Sequence, residues 1–215
     1  MRNNVTIFPH PGSDVSYTTN NCSLSFEIPV AIEPPIFVYY RLTNFYQNHR
    51  RYVKSYSQPQ LAGDAPSYEN LGGDCDPLRT PYQSDKLYFP CGLVANSLFN
   101  DTFGPLTLQN VADSDANSMV YNFTNNNIAW DTDKDLYAED SGYSLDQIVP
   151  PPNWMLRYPN NYTATEPPPN LKVDESFQNW MRTAGLPTFA KLALRNDDET
   201  LQPGRYTINI TDSKL

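Results

Sequence analysis

The chain has 215 residues, with 24 acidic against 15 basic side chains and a formal net charge of −9. That balance excludes an electrostatic nucleic-acid surface, which needs a basic excess, and gives no general pull toward anionic lipid headgroups. Twenty prolines against nine glycines imply many ordered loops and few long helices, while fifteen Tyr, ten Phe and three Trp supply ring area for a β-rich core.

Residues 1–21 are polar and read as irregular. From Cys22 the pattern alternates: Leu24, Phe26, Ile28, Val30 and Ile32 share one face, which is a half-buried strand. Pro29 within it points to an edge or a bulge. After Glu33-Pro-Pro the chain enters Ile36-Phe-Val-Tyr-Tyr-Arg-Leu42, alternating with both faces largely apolar or aromatic, which predicts a central strand covered on both sides. It continues into Asn44-Phe-Tyr-Gln-Asn-His-Arg-Arg-Tyr52, where rings, amides and guanidiniums interleave. Such a segment either packs locally with paired arginines or serves as a recognition surface, because Tyr and Arg anchor interfaces.

Residues 56–90 are loop-like, broken by Pro59, Pro66, Gly72-Gly73, Pro77, Pro81 and Pro90. Cys75 and Cys91 bracket the second half of this loop. Joining them would close a loop of ~16 residues and stabilise by about 3 kcal/mol through chain entropy; two free buried thiols are the alternative. Beyond Cys91, Val94, Ala95, Leu98 and Phe99 recur at helical spacing until Gly104-Pro105. Short strands follow at 106–108, 119–123 and 128–130. Residues 137–170 are again proline-rich, and Trp154, Met155, Leu156 and Tyr158 between the proline runs favour ordered, polyproline-like wrapping. The clearest helix lies over 175–184, with Asp174 placed to cap it, Phe177, Trp180, Met181 and Ala184 on one stripe, and Gly185 to stop it. Pro187 then opens a second short helix turning Phe189, Leu192 and Ala193 inward, and a last strand spans 205–211. The expected fold is mainly β: a single antiparallel, β-sandwich-like domain over 1–215 with a few short helices and long Pro-rich loops.

No run approaches the ~20 apolar residues of a spanning helix, and no signal-peptide pattern starts at Met1. Six sequons nevertheless occur, at Asn4, Asn21, Asn100, Asn122, Asn161 and Asn209. Neither His10 nor His49 sits in a nucleophile context. Asp131-Thr-Asp-Lys-Asp135 has the opening spacing of a calcium loop, but Leu136 and Gly142 stand where that loop needs Gly and Glu. Cys22, Cys75 and Cys91 lack the close-spaced partners of a zinc site. No catalytic residue, metal or cofactor is expected.

Four stretches, in order, resemble the accessory β subunits of type IV P-type ATPases, the phospholipid flippases. They are Ile36–Ser55, Cys91-Gly-Leu-Val-Ala-Asn-Ser-Leu-Phe-Asn-Asp-Thr102, Asn127-Ile-Ala-Trp-Asp-Thr-Asp-Lys134 and Trp180-Met-Arg-Thr-Ala-Gly-Leu-Pro-Thr-Phe189. The resemblance implies a non-catalytic ectodomain on the lumenal or extracellular side, flanked in the family by one membrane helix on each side and followed by further strands. It implies that the partner is the ATPase α subunit, whose exit from the endoplasmic reticulum and lipid transport the β subunit supports. Candidate partner contacts are Asn44, Tyr46, Arg50, Arg51, Tyr52 and Arg182, while Trp180 reads as core. The family has a bridge at the place of Cys75 and Cys91 and pairs the counterpart of Cys22 on its N-terminal side, where residues 1–21 offer no cysteine. Asn100 and Asn209 match family sequon positions. The alternative from another class is a secreted carbohydrate-binding module whose aromatic rings stack on sugars.

Overall fold

The computed structural model describes the backbone of residues 2–7, 17–109 and 118–212. In chain order it contains β1 (Arg2–Ile7), β2 (Tyr17–Ile28), β3 (Ile36–Leu42), α1 (Arg50–Val53), α2 (Gln58–Leu61), α3 (Tyr68–Leu71), β4 (Leu87–Tyr88), α4 (Leu93–Asn96), β5 (Thr102–Phe103), β6 (Leu106–Gln109), β7 (Ser118–Tyr121), α5 (Asp131–Lys134), β8 (Ile148–Val149), α6 (Glu175–Met181), β9 (Phe189–Asn196) and β10 (Gly204–Asp212). A short 3-10 turn spans Pro152–Trp154. The fold is mainly β and antiparallel. The chain divides into two compact units, neither of them contiguous: one takes residues 1–38, 100–126 and 193–214, the other 39–99 and 127–192.

The first unit is built on the antiparallel sheet β1-β2-β10-β6-β7, with β5 also on β10. Tyr206 stands opposite Phe26 on one side and Leu108 on the other. Residues opposite each other share a face, so the period-2 alternation of β2, β6 and β10 places their apolar side chains together. Leu106, Leu108, Tyr121, Tyr206 and Ile208 form the buried cluster, joined by Ile36 and Leu201. The opposite face carries Ser25, Thr107 and Thr207. Two expectations change here. Residues 2–7 and 17–21 are strand rather than irregular, because β2 extends back to pair with β1. The strand also ends at Ile28, since Pro29 lacks the donor to continue the ladder; Ile32 keeps only an isolated bridge to Leu201.

β3 pairs only with β9. Ile36, Val38, Tyr40 and Leu42 alternate with the exposed Phe37, Tyr39 and Arg41, so it is not the central, doubly covered strand that its composition suggested. The expected helix after Pro187 is β9. Phe189, Leu192 and Ala193 fit a helical spacing, but pairing to β3 decides the backbone. Ile128–Trp130 is likewise not a strand: Asn127 takes a positive φ of 59° and Trp130 is the N-cap residue just before α5.

Among the described residues the second unit has little sheet of its own, the only pair lying wholly within it being the two-residue parallel β4–β8. Its core is aromatic: Phe89, Tyr137, Trp154, Tyr158, Tyr162 and Phe177 pack with Leu61, Leu71, Ile148 and Leu171. The polar ends of these rings bind loop carbonyls. The Trp154 and Trp180 indoles donate to the Ala95 and Val94 carbonyls at 3.0 and 2.8 Å, satisfying acceptors in the short α4. The Tyr162 hydroxyl donates to the Phe89 carbonyl at 2.6 Å. Buried Gln60 donates to the Tyr88 carbonyl at 3.0 Å and accepts from the Cys91 amide at 2.8 Å. Buried side-chain donors and acceptors therefore do for these loops what a ladder does for a sheet.

Candidate functional site

The segment between β3 and α1 is fixed from beneath. Gln47 is wholly buried; its Oε1 accepts from the Ala184 amide at 2.8 Å and its Nε2 faces the Trp180 carbonyl at 3.5 Å. The Asn48 side chain donates to the Gly185 carbonyl at 3.1 Å. The Phe45 ring makes edge contacts with Tyr52, Trp180 and Phe189. His49 caps α1, its Nδ1 accepting from the Arg51 amide at 3.3 Å, so the histidine is committed to the turn.

This anchoring leaves Arg50, Arg51 and Lys54 exposed on one short helical turn. Among the described residues none of the three makes a side-chain hydrogen bond or ion pair. They line a cleft of about 650 Å³ together with Asp74, Asp76, Pro77 and Leu93. One buried hydroxyl ties its walls together: Ser55 Oγ donates to the Asp76 carbonyl at 2.8 Å and accepts from the Leu93 amide at 2.8 Å. Gly92 makes this possible. Its φ is 96°, and a Cβ there would lie 2.0 Å from the Ser55 carbonyl oxygen. Cys75 and Cys91 are joined in a disulfide beside the cleft, with a Cα separation of 5.5 Å, while Cys22 keeps a free thiol.

The six expected partner contacts divide. Asn44, Tyr46, Arg50 and Arg51 are exposed, with Asn44 in a turn at φ 56°. Tyr52 is half-buried and hydrogen-bonded to Ser97 Oγ at 2.8 Å; burial raises its hydroxyl above the usual tyrosine range. Arg182 binds both carboxylate oxygens of Asp133, at 3.1 and 2.8 Å, and its guanidinium lies 4.1 Å over the Trp130 ring. Tyr52 and Arg182 thus make side-chain bonds within this unit, and Trp180 is core. Trp130 itself remains 65% exposed. Nearby, Glu175 accepts from the Ala129 amide at 2.9 Å and pairs with Lys134 at 3.1 Å. Burial works against its charge, but the Ala129 and Asn127 amides and Lys134 hold the carboxyl below the usual range.

Two features escaped the sequence reading. Lys54 completes the cationic trio, and its spacing of three and four from Arg51 and Arg50 was the available signal. Lys191, buried in β9, donates to the Asn179 and Trp180 carbonyls at 2.7 and 3.4 Å and to that of Arg182. These lie at the C-terminal end of α6, which stops at Met181 rather than running to 184; Gly185 is no cap, and the ammonium takes that role. No sequence spacing links Lys191 to that end.

Of the sequon asparagines, Asn122, Asn161 and Asn209 are exposed, while Asn100 and Asn21 are half-buried. The Asn21 Oδ1 is enclosed without a hydrogen-bond partner. The Asn4 side chain lies outside the described residues.

Residues 6–213 match the model of the LEM3 (ligand-effect modulator 3) family, also called the CDC50 family. The chain belongs to this family. It is 50% identical over 200 residues to the phospholipid-transporting ATPase accessory subunit CDC50 of Chaetomium thermophilum, a match that covers 91% of this chain and 49% of that protein. It is 46% identical over 198 residues to accessory subunit CRF1 of Saccharomyces cerevisiae, covering 92% and 48%. To cell cycle control protein 50A of Mus musculus it is 37% identical over 205 residues, covering 90% and 55%. The chain therefore spans about half the length of these curated relatives.

Proposed function

We propose that this family member is the exoplasmic portion of a non-catalytic accessory subunit that binds a type IV P-type ATPase and supports its maturation and its transport of phospholipid. The observation that carries this reading is the 50% identity, over nine-tenths of this chain, to a protein named as such a subunit. The architecture fits a binding role: His49 is used as a helix cap, and the buried Gln60 and Gln178 side-chain amides donate to the Tyr88 and Leu171 carbonyls. Among the described residues no helix is long and apolar enough to cross a membrane. In this reading the portion lies on the lumenal or extracellular side.

Asn44, Tyr46, Arg50 and Arg51 are the proposed partner contacts, because they are exposed on a turn whose base is rigid. The test is co-purification of the full-length protein with a type IV P-type ATPase. Arg50→Ala with Arg51→Ala is expected to reduce recovery of the ATPase while leaving the thermal midpoint of the chain unchanged. A midpoint that collapses while the folded fraction still binds would make these arginines structural and remove them from the contact surface.

A further inference from the structure

The cleft beside α1 carries more chemistry than partner contact requires. Three cations fall within five residues of a chain with net charge −9, at spacings where like charges repel, and among the described residues no acidic side chain forms an ion pair with them. A one-turn helix has too small a dipole to explain three cations by its C-terminus. The cleft is concave, and its volume of about 650 Å³ falls within the range of small-molecule sites. Its backbone walls are held by Ser55 Oγ and by the neighbouring disulfide, so the ordering left to ligand binding is that of the three cationic side chains. Guanidinium forks match the geometry of phosphate oxygens, and Lys54 adds a point charge.

The same cleft also holds carboxylates. Asp76 is engaged by Arg79 at 3.1 Å, whereas Asp74 makes no described side-chain bond or ion pair. A purely anionic ligand would meet Asp74 with repulsion; a ligand with an ammonium group beside its phosphate would not. We propose that this cleft binds a phosphate ester bearing a primary ammonium, with Arg50, Arg51 and Lys54 on the phosphate and Asp74 on the ammonium. The ligand chemistry is shared by an aminophospholipid headgroup and a soluble phosphoamine; the accessory-subunit reading bears only on which of the two supplies it.

The test titrates the 215-residue chain, at low salt and by calorimetry, with glycerophosphoethanolamine, glycerophosphocholine and inorganic phosphate. The ethanolamine ester is expected to bind at least tenfold tighter than the other two, because a quaternary ammonium cannot donate to Asp74 and phosphate alone has no ammonium. Arg50→Gln with Arg51→Gln should lower that affinity tenfold or more at an unchanged thermal midpoint. Asp74→Asn should abolish the preference over the choline ester while keeping phosphate binding. Flotation of the chain with phosphatidylethanolamine vesicles, lost in the double arginine variant, would assign a lipid headgroup; ester binding without flotation would assign a soluble phosphoamine. Absence of saturable binding by every probe, equal affinity for all three, an affinity unaffected by the arginine changes, or tighter binding of a Glu-rich peptide would each overturn the proposal. Calorimetry needs no ATPase and co-purification needs no added ligand, so either reading can fail alone.

Discussion

Lys191 gives a prediction whose sign depends on which of two forces dominates. Its ammonium is buried and caps the C-terminal end of α6 through three carbonyls. Burial, reinforced by the Arg182 charge and opposed by Asp133, pushes its pKa from 10.5 down to about 8. Between these values the unfolded chain binds more protons than the folded one, so stability rises with pH. Between pH 7 and pH 9 the gain is about 1.3 kcal/mol, the worth of roughly one pKa unit. Lys191→Met keeps most of the side-chain volume and leaves the carbonyls without their donor, a cost of about 1–3 kcal/mol, but it cannot titrate. The penalty of the substitution is therefore expected to grow by about 1.3 kcal/mol from pH 7 to pH 9. Tyr40 and Tyr137, raised by burial, lose stability only as the pH climbs through the ordinary tyrosine range near ~10, and they cancel between the two proteins. Guanidinium chloride unfolding of both proteins at pH 7, 8 and 9 provides the measurement. A penalty that stays constant or shrinks would mean that the ammonium–carbonyl bonds outweigh burial, and the reasoning would be wrong.

Gly92→Ala should destabilise by about 3 kcal/mol or more, because the new methyl meets the Ser55 carbonyl at a positive φ; a thermal midpoint within a degree or two of wild type would contradict it. Replacing both Cys75 and Cys91 by Ser should cost about 2–4 kcal/mol, and alkylation of the native chain without reduction should label Cys22 alone, with label on Cys75 counting against the bridge. Chain made through the secretory pathway should carry glycans at Asn209 and Asn100, and peptide mass mapping after glycosidase treatment that finds both unmodified would refute this.

Much of the strand structure was legible because it depends on alternation, which is local. Leu24, Phe26, Tyr206 and Ile208 announce strands with one apolar face, and their pairing across β2 and β10 puts those faces together. The α6 stripe and its Asp174 cap were equally local: the Asp174 carboxylate accepts from the Phe177 amide at 2.9 Å. Family membership was also readable, because whole motifs survive without knowledge of the fold. The surroundings of the candidate contact residues were not readable, since spacing cannot tell an arginine with no described side-chain bond, such as Arg50, from one bound by Asp133 and stacked on Trp130, such as Arg182.

What the sequence by itself determined is the mainly β class, the strand faces, the α6 stripe, the sequons and the family. What only the tertiary structure decided depends on groups far apart in the chain. β9 is a strand because β3, about 150 residues away, offers it a ladder that no local preference for helix can match. The carbonyls at the end of α6 are satisfied by Lys191, which reaches them from another element. The cationic cleft exists because Ser55 bonds both Asp76 and Leu93, bringing three loop segments to one hydroxyl. Local pattern specifies which residues want burial or a turn; only chain closure specifies which buried donor meets which carbonyl.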